Sequence, residues 1–266
     1  MIKFASESLT AQVITPNVLA SNLLVSEQSH NRIGLYSASI QTLINSLKNI
    51  ADPTPELIKS VVTASNISEQ DLMPWADFDH PVEDSYGRKL VFDGGHFEIM
   101  VMSWAPGDFS AIHDHGATQW GAVQCFGAAE HYIYQFNHDV LCTLEAAHYL
   151  PGMVRSVDHS LIHQMGNSTS QPFLSLHVYG CVGARKTITG DARIFDLLEN
   201  RIQYTDGGVF FCLPENQINR RTGSLKADAE TTLRHHRCMG DRLRRILEVA
   251  PNPWAETTLA RLTLIN

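Results

Sequence analysis

The sequence is short of the features that mark secreted and disulfide-bonded proteins. It has only five cysteines in 266 residues, and no two of them form a C-x-x-C pair. An odd and scattered set of this kind argues against a disulfide framework and against a thiolate zinc site. A reducing cytoplasm is therefore the expected location.

Long apolar runs and an excess of positive charge are absent as well. No stretch approaches the roughly 18 to 20 apolar residues that a membrane-spanning helix needs, and no basic segment followed by an apolar run opens the chain. The net charge of −8 makes the chain repel polyanions. A basic bias between residues 219 and 245 is interpreted as a solvated helical face. We expect neither secretion nor a membrane or nucleic-acid partner.

The composition that remains is that of an ordinary globular protein, with 44% apolar and 18% charged residues. Residues 1 to about 80 have helical periodicity, with Ile40, Leu43 and Leu47 at three- and four-residue steps. A second helix is expected to start at Thr54, with a proline in its first turn.

From about residue 86 to 183 the pattern changes to short runs rich in Val, Ile, Tyr and Phe, broken by Gly, Pro, Asp and Asn. The clearest runs are residues 89–92, 97–104, 121–125, 131–136 and 174–179. Such runs at spacings of about 10 residues predict an all-β sandwich or barrel.

Helical spacing returns in Ile194, Leu197 and Leu198, and longer helices are expected around 231–249 and 254–264. The predicted organisation is an N-terminal helical region packed on the barrel (1–84), a β-barrel core (85–189) and a mostly helical C-terminal extension (190–266). The fold class is therefore mainly β with helical flanks.

Among thirteen histidines, spacing singles out three. His113 and His115 are two residues apart in a predicted strand, so both imidazoles point to one side and one metal ion can take both. A third donor should converge from another strand, and His163 is the candidate, in the pattern G-x10-H-x3-N with Gly152 and Asn167. Imidazole suits Zn, Cu, Fe and Ni alike, so the donor set does not name the metal. The histidines without spacing logic, interpreted as surface or packing residues, are His30, His80, His138, His148, His235 and His236.

These segments resemble the two motifs of the cupin superfamily, G-x5-H-x-H-x4-E-x6-G and G-x5-P-x-G-x2-H-x3-N. The resemblance implies a cupin-type β-barrel, a double-stranded β-helix. Trp120 stands where the first motif usually has Glu, and Asp158 and Ser160 replace the Pro and Gly of the second. Without the Glu, three neutral imidazoles leave the full 2+ charge of the metal and up to three open positions for substrate and oxygen.

A narrower resemblance covers about residues 80 to 185. Its segments are Tyr86-Gly-Arg88-Lys-Leu-Val, Trp104-x-x-Gly-x-x-Ser-x-Ile-His113-Asp-His115, Gly127-x-x-Glu130, His163-x-x-x-Asn167 and Ser175-Leu-His177-Val-Tyr179. They are similar to the cysteine dioxygenase family of thiol dioxygenases. That family binds Fe(2+) through histidines matching His113, His115 and His163, and adds both atoms of O2 to a thiolate sulfur. The resemblance implies a sulfur-metabolism enzyme that oxidises a small carboxylate-bearing thiol, with L-cysteine to cysteine sulfinate as the first choice.

The resemblance also assigns roles around the metal. Arg88 matches the arginine that holds the substrate carboxylate, which a planar guanidinium can clamp bidentately. Tyr86 matches a tyrosine of the family's pocket and points the same way on a strand. Ser175, His177 and Tyr179 alternate along a strand and so project to one face. In the family they form a relay whose tyrosine hydroxyl lies over the metal.

Two departures from the family leave the substrate open. Trp120 stands where animal members have a cysteine that crosslinks to the relay tyrosine and many bacterial members a glycine. No crosslink can form there, and the indole must narrow the pocket, as a substrate contact, or turn away. Gly180-Cys181-Val182 replaces the usual Ser-Pro-Pro, as in 3-mercaptopropionate dioxygenases, although these carry Gln in place of Arg88. Arg185 is a further candidate for a carboxylate contact.

Other functions remain open from the sequence. The Arg- and His-rich stretch 234–245 favours a non-catalytic cupin module that holds a structural metal or senses a thiol. Trp120 favours an enzyme with another substrate, either a biosynthetic thiol or a carbon atom. For the thiol dioxygenase the expected partners are a small thiol and O2, in a monomer or weak homo-oligomer.

Overall fold

The computed structural model describes residues 36–183 and 187–265. Residues 1–35, with His30, and Arg185 lie outside this part. The helices are α1 (Ala38–Lys48), α2 (Pro55–Ala64), α3 (Glu69–Leu72), α4 (Ala229–Val249) and α5 (Pro253–Ile265). Within the described ranges, none of them combines the length and apolar character that crossing a bilayer requires.

Both helices predicted near the start of the described chain are confirmed. Helix α1 buries Ile40, Leu43 and Leu47 along one side. Helix α2 follows Thr54, whose side chain caps it by accepting a hydrogen bond of 3.2 Å from the backbone N–H of Leu57.

Twelve strands make up the β structure of the described residues. They are β1 (Gly87–Asp93), β2 (Phe97–Trp104), β3 (Trp120–Cys125), β4 (Ala129–Asn137), β5 (Val140–Tyr149), β6 (Val154–Asp158), β7 (Ile162–Gly166), β8 (Phe173–Gly180), β9 (Ala192–Asp196), β10 (Arg201–Thr205), β11 (Arg220–Gly223) and β12 (Lys226–Ala227). Helix α2 packs on β3 and β6.

Two sheets, of five and four strands, build the barrel. Their strand orders are β1-β2-β8-β3-β6 and β12-β5-β4-β7. All pairs are antiparallel except β12 with β5. Side chains from both sheets share one apolar core, among them Met100, Val123, Tyr149 and Met165. The predicted mainly β fold of the double-stranded β-helix type, with helical flanks, is confirmed.

Strand β8 is buried along its whole length between β2 and β3. Such a central position fixes the register, because a slip by one residue would exchange the two faces. The polar residues Ser175, His177 and Tyr179 therefore stay on one face, and Leu176 and Val178 on the other.

The helix predicted from Ile194, Leu197 and Leu198 is wrong, because Ala192–Asp196 is strand β9. It belongs to a third sheet of order β11-β10-β9. The backbone N–H of Phe195 donates to Ile112 O at 2.9 Å, which joins this sheet to the barrel. A short apolar run is compatible with either a helix or a buried strand. Here the segment forms a strand because it pairs with residues that are distant in the sequence. The division at residues 84 and 189 stays a prediction.

The interpretation of the basic stretch as a solvated face holds for Arg237 and Arg244 on α4, which are exposed, but is wrong for Arg234 and Arg242. Arg234 and Arg242 are 8% and 2% exposed. The Arg234 guanidinium lies 4.1 Å from the ring centroid of Tyr132 and donates to the hydroxyls of Tyr134 and Thr143. These cations are used to dock α4 on the barrel.

Helix α4 also buries His235, an imidazole without a partner. Its side chain is 2% exposed, and neither ring nitrogen has a hydrogen-bond partner among the described residues. Burial, with a smaller contribution from His236, lowers the pKa of His235 from 6.5 to about 3. The folded protein keeps this ring neutral at pH values where the unfolded chain protonates it.

Acid should therefore weaken the fold through His235. Above pH 6.5 both states are neutral, and below it only the unfolded chain takes up the proton. The free energy of unfolding should then fall by about 1.4 kcal/mol per pH unit down to about pH 3. In urea unfolding of metal-free protein, wild type should lose about 2 to 3 kcal/mol more than His235→Met between pH 7 and 4.5.

The exposed His148 supplies the matched control. His148→Met should keep the pH profile of the wild type. Parallel profiles for wild type and His235→Met would contradict the assignment.

Candidate metal centre

Three imidazoles converge inside the barrel, from two separate parts of the chain. His163 lies on β7, and its Nε2 is 3.1 Å from Nε2 of His113 and 3.2 Å from Nε2 of His115. The three side chains are 3 to 6% exposed. His113 and His115 lie between β2 and β3 and not on a strand as predicted, and His113 forms isolated β-bridges with His163 and Ile194. The three predicted ligands are brought together, and they are the group of metal-binding side chains found among the described residues.

Their protonation fits a cation. Burial is the main cause that lowers the pKa of His113 to about 4 and those of His115 and His163 well below 6.5, so all three are neutral. Nδ1 of His113 lies 2.8 Å from the carbonyl oxygen of Ala111 and must carry the proton, which leaves a bare lone pair on Nε2. A divalent metal bound by all three Nε2 atoms would satisfy their lone pairs at once.

A fourth histidine, His131 on β4, holds His163 from behind. Its Nε2 lies 2.8 Å from Nδ1 of His163, and the ring is 2% exposed. Burial, as the main cause, lowers the pKa of His131 to about 4, so its ring is neutral. When Nε2 of His163 binds a cation, the proton of His163 lies on Nδ1 and is donated to Nε2 of His131. Sequence reasoning missed this residue, because a contact between neighbouring strands leaves no fixed spacing in the sequence. Its place next to the Gly127-x-x-Glu130 motif was the available signal.

The predicted relay is one continuous chain of hydrogen bonds. Ser175 Oγ lies 2.7 Å from Nε2 of His177, and Nδ1 of His177 lies 2.8 Å from the hydroxyl oxygen of Tyr179. The Tyr179 ring centroid is 5.0 Å from that of His115. Burial lowers the pKa of His177 to about 3 and raises that of Tyr179 above its ordinary range. Both groups are therefore neutral.

Trp104 extends this chain and sets its direction. Its Nε1–H donates to Ser175 Oγ at 2.8 Å, and an indole N–H can only donate. Ser175 Oγ could accept a second hydrogen bond, but Nε2 of His177 is the one acceptor that the described residues offer to its hydroxyl proton. Ser175 therefore donates to Nε2 of His177, whose proton on Nδ1 goes to the Tyr179 oxygen. The Tyr179 O–H is left to donate away from the relay. Trp104 belongs to one of the family-like motifs, but the sequence did not indicate its role.

A narrow cavity of about 30 Å³ adjoins the histidines. It is lined by Tyr86, Arg88, Met100, Met102, Trp104, Ser110, His113, Asp114, His115, Met165, His177, Tyr179, Thr189, Ala192, Gly207 and Val209. Arg88 is the one Arg or Lys in this set, and no ion pair joins it to any described residue. Glu98 lies near enough to feel its charge, but burial still raises the pKa of Glu98. Arg88 is thus a cation open to a ligand.

Tyr86 borders the cavity from a fixed position. Its ring stacks on Trp104 with centroids 4.7 Å apart, and its hydroxyl accepts a hydrogen bond of 3.2 Å from the backbone N–H of Val209. The cavity lining also includes three residues whose role the sequence did not indicate, Thr189, Ala192 and Val209.

The expectation that Trp120 contacts substrate requires correction. Trp120 is 3% exposed but does not line the cavity. Its indole lies over Gly180, where a Cβ atom would come within 2.1 Å of it. Gly121, one position later, faces Tyr179, whose ring would lie 3.0 Å from a Cβ there. Adjacent residues of a strand face opposite ways, so Gly121 rather than Trp120 lies on the face toward Tyr179.

The contact between His131 and His163 gives a testable prediction. His131→Phe removes the acceptor and leaves a buried N–H of His163 unpaired, so affinity for a divalent metal should fall about 10- to 100-fold. His131→Gln offers a replacement oxygen and should recover part of the loss. Competition titrations with Co(2+) measure both.

The exposed His159 supplies the control, since its Nδ1 bonds the carbonyl oxygen of Thr118 and it contacts none of the three histidines. His159→Gln should bind Co(2+) as wild type does. Unchanged affinity in His131→Phe would show that His131 does not orient a ligand.

Several solved structures are similar to part of this chain. An uncharacterized conserved protein with a double-stranded β-helix domain from Klebsiella pneumoniae subsp. pneumoniae is 20% identical over 46% of this chain and 98% of its own, with a TM-score of 0.34. The protein TT1209 from Thermus thermophilus is 20% identical over 42% and 94%, with a TM-score of 0.35. A Cupin 2 conserved barrel domain protein from Salinispora arenicola is 16% identical over 38% and 81%, with a TM-score of 0.29.

A family model decides the classification. The model described as cysteine dioxygenase type I matches residues 33–181, more than half of the chain. The matched range contains the three converging histidines, Arg88 and the relay, and ends before β9. This chain belongs to the cysteine dioxygenase type I family.

Proposed function

We propose that this protein is a non-haem, Fe(2+)-dependent thiol dioxygenase that adds both atoms of O2 to the sulfur of a small carboxylate-bearing thiol. L-cysteine, oxidised to cysteine sulfinate, is the first candidate. One observation carries the proposal: an unpaired guanidinium lines the same cavity as His113 and His115, and the third neutral imidazole, His163, lies directly against both. A thiolate at the metal and a carboxylate at Arg88 are the two ends that such a cavity recognises.

His113, His115 and His163 would hold the iron. Bound there, ferrous iron supplies the electron exchange without which triplet O2 does not attack a thiolate. Three neutral ligands leave the positive charge of the metal uncompensated, which favours binding of an anionic sulfur.

Arg88 and Tyr86 would position the substrate. The guanidinium clamps the carboxylate bidentately, which fixes the sulfur at the other end of a short thiol. Tyr86 accepts from Val209, so its own O–H is free to donate into the cavity.

Tyr179 would hold a proton at the reacting end of the cavity. His177 donates to its oxygen, and burial keeps the phenol protonated by raising its pKa. A protonated phenol with its O–H free of the relay can donate to oxygen atoms beside the histidines. Ser175 and His177 orient this group without contacting substrate.

A second candidate substrate is 3-mercaptopropionate, which carries the same carboxylate but no ammonium group. Asp114 is the one acidic residue in the lining, and it is paired with Arg193 and with two backbone N–H groups. The described lining thus offers no free anion for an ammonium group. A cysteine amine would have to bind as a neutral donor beside the sulfur.

The alternative of a non-catalytic module loses its main support, because Arg234, His235, His236 and Arg242 are buried rather than exposed. A biosynthetic thiol is a further candidate substrate, and Trp120, which favoured other chemistry, does not line the cavity. We further propose a cytoplasmic role in sulfur metabolism. The monomer or weak homo-oligomer stays a prediction.

The central test is oxygen consumption by protein loaded with Fe(2+). L-cysteine or 3-mercaptopropionate should be consumed with one O2 per sulfinate formed, as measured with an oxygen electrode and by mass spectrometry. His163→Ala should lose the metal and the activity together. Metal-loaded protein that consumes no O2 with any small thiol would contradict the proposal.

Arg88→Gln tests the clamp. Loss of a charge-assisted, bidentate contact should raise KM for carboxylate-bearing thiols about 10- to 100-fold, with little change for cysteamine, which has no carboxylate. The control is Lys89→Gln on the same strand, because Lys89 is exposed and pairs with Asp77 at 3.0 Å. Equal losses for both classes of thiol would refute the clamp.

A further inference from the structure

A buried carboxylate, Asp108, lies at the turn after β2 and is wholly shielded from solvent. Oδ1 accepts from Arg242 at 2.9 Å and Arg245 at 3.2 Å, and Oδ2 accepts from His80 at 3.0 Å and the backbone N–H of Ala105 at 2.7 Å. Burial opposes ionisation, but these bonds prevail and lower the pKa of Asp108. His80, predicted as a surface or packing residue, belongs to this ionic cluster. The cluster joins α4 to the barrel.

Arg242 reaches beyond this carboxylate. It is 2% exposed, and its guanidinium donates to three backbone carbonyl oxygens, those of Val82 at 3.0 Å, Asp84 at 3.4 Å and Ser85 at 3.1 Å. A planar fork with five N–H donors suits such a bridge, and a lysine cannot reproduce it. Without Arg242, these carbonyls and Asp108 would lose a buried donor.

The bridged segment leads directly into the residues proposed to bind the carboxylate. Tyr86 follows Ser85, and Arg88 comes two positions later at the start of β1. On the opposite side, Ser85 Oγ accepts from the backbone N–H of Phe211 at 3.1 Å. The entry of β1 is thus held between α4 and the segment after β10. Because no ion pair anchors the Arg88 side chain, its backbone position sets where the guanidinium can reach.

The other end of the bridge leads to the histidines. The backbone N–H of Asn167 donates to Asp108 O at 2.7 Å, and that of Gly107 donates to Asn167 O at 2.7 Å. Asn167 follows His163 by four residues, and Asp108 precedes His113 by five. One guanidinium therefore ties the strand of Arg88 to both arms that carry the histidines.

We infer that Arg242 is a positioning residue that fixes the separation between Arg88 and the three-histidine centre, and thereby selects thiols by the length of chain between sulfur and carboxylate. The inference rests on the proposed function. It also extends the site to α4, which lies beyond the residues that the family model matches.

The test compares Arg242→Met with Arg245→Met in the full-length, Fe(2+)-loaded protein. Both remove a guanidinium on α4 that bonds Asp108, but Arg245 is about one-third exposed and has no bond to residues 82–85. Three substrates, mercaptoacetate, 3-mercaptopropionate and 4-mercaptobutyrate, differ in the length of chain between sulfur and carboxylate. L-cysteine is tested beside them, and cysteamine serves as the thiol without a carboxylate.

Arg242→Met should raise KM for the preferred carboxylate thiol about 10-fold and reduce the discrimination between chain lengths by a similar factor. KM for cysteamine and the bound iron per chain should stay within about 2-fold of wild type, as should every value for Arg245→Met. In metal-free protein, amide hydrogen exchange across residues 82–88 should accelerate in Arg242→Met and not in Arg245→Met.

Arg242→Lys is the milder variant if Arg242→Met does not fold. It keeps a charge beside Asp108 but cannot span the carbonyls, so it should show the same loss of length discrimination. Equal effects on cysteamine and carboxylate thiols, or equal effects of the Arg242 and Arg245 variants, would overturn the inference. Wild type that oxidises no thiol would instead reject the proposed function.

Discussion

The site depends on the burial of three imidazoles in their neutral form at one point of the barrel. Burial prevents protonation, and the Ala111 carbonyl forces the proton of His113 onto Nδ1, which points a lone pair inward. His131 accepts from Nδ1 of His163 when Nε2 of His163 binds a cation. A cation held by all three Nε2 atoms would satisfy their lone pairs in this buried position.

The positions of the protons also determine the hydrogen-bond directions in the relay of Trp104, Ser175, His177 and Tyr179. Trp104 donates to Ser175 Oγ, and Nε2 of His177 is the acceptor that the described residues leave for the Ser175 proton. His177 then donates to Tyr179, whose O–H is free of the relay. Strand β8 carries three of these four residues and is buried between two strands, which keeps them in line. Beyond the family-matched range, β9 closes the cavity and α4 joins the two ends of the site through Arg242.

Local spacing explains what the sequence could predict. Ser175, His177 and Tyr179 alternate on strand β8, where period 2 determines direction. His113 and His115 were found by their spacing, although they lie between β2 and β3 and not on a strand. Contacts between distant segments leave no such mark, so His131 and Arg242 were missed. The packing of Trp120 on Gly180, outside the cavity, was also not predicted, because it depends on the pairing of β3 with β8. The strand β9 was taken for a helix because its pairing with Ile112 and with β10 is not local.

The most direct test is to identify the atoms that bind the metal. X-ray absorption of the Fe(2+)-loaded protein, before and after addition of the thiol, reads the donor set directly. The account predicts a first shell with three imidazole nitrogens, and one sulfur scatterer added at the expense of oxygen when thiol binds. A shell with fewer than three imidazoles, or no sulfur at saturating thiol, would contradict it.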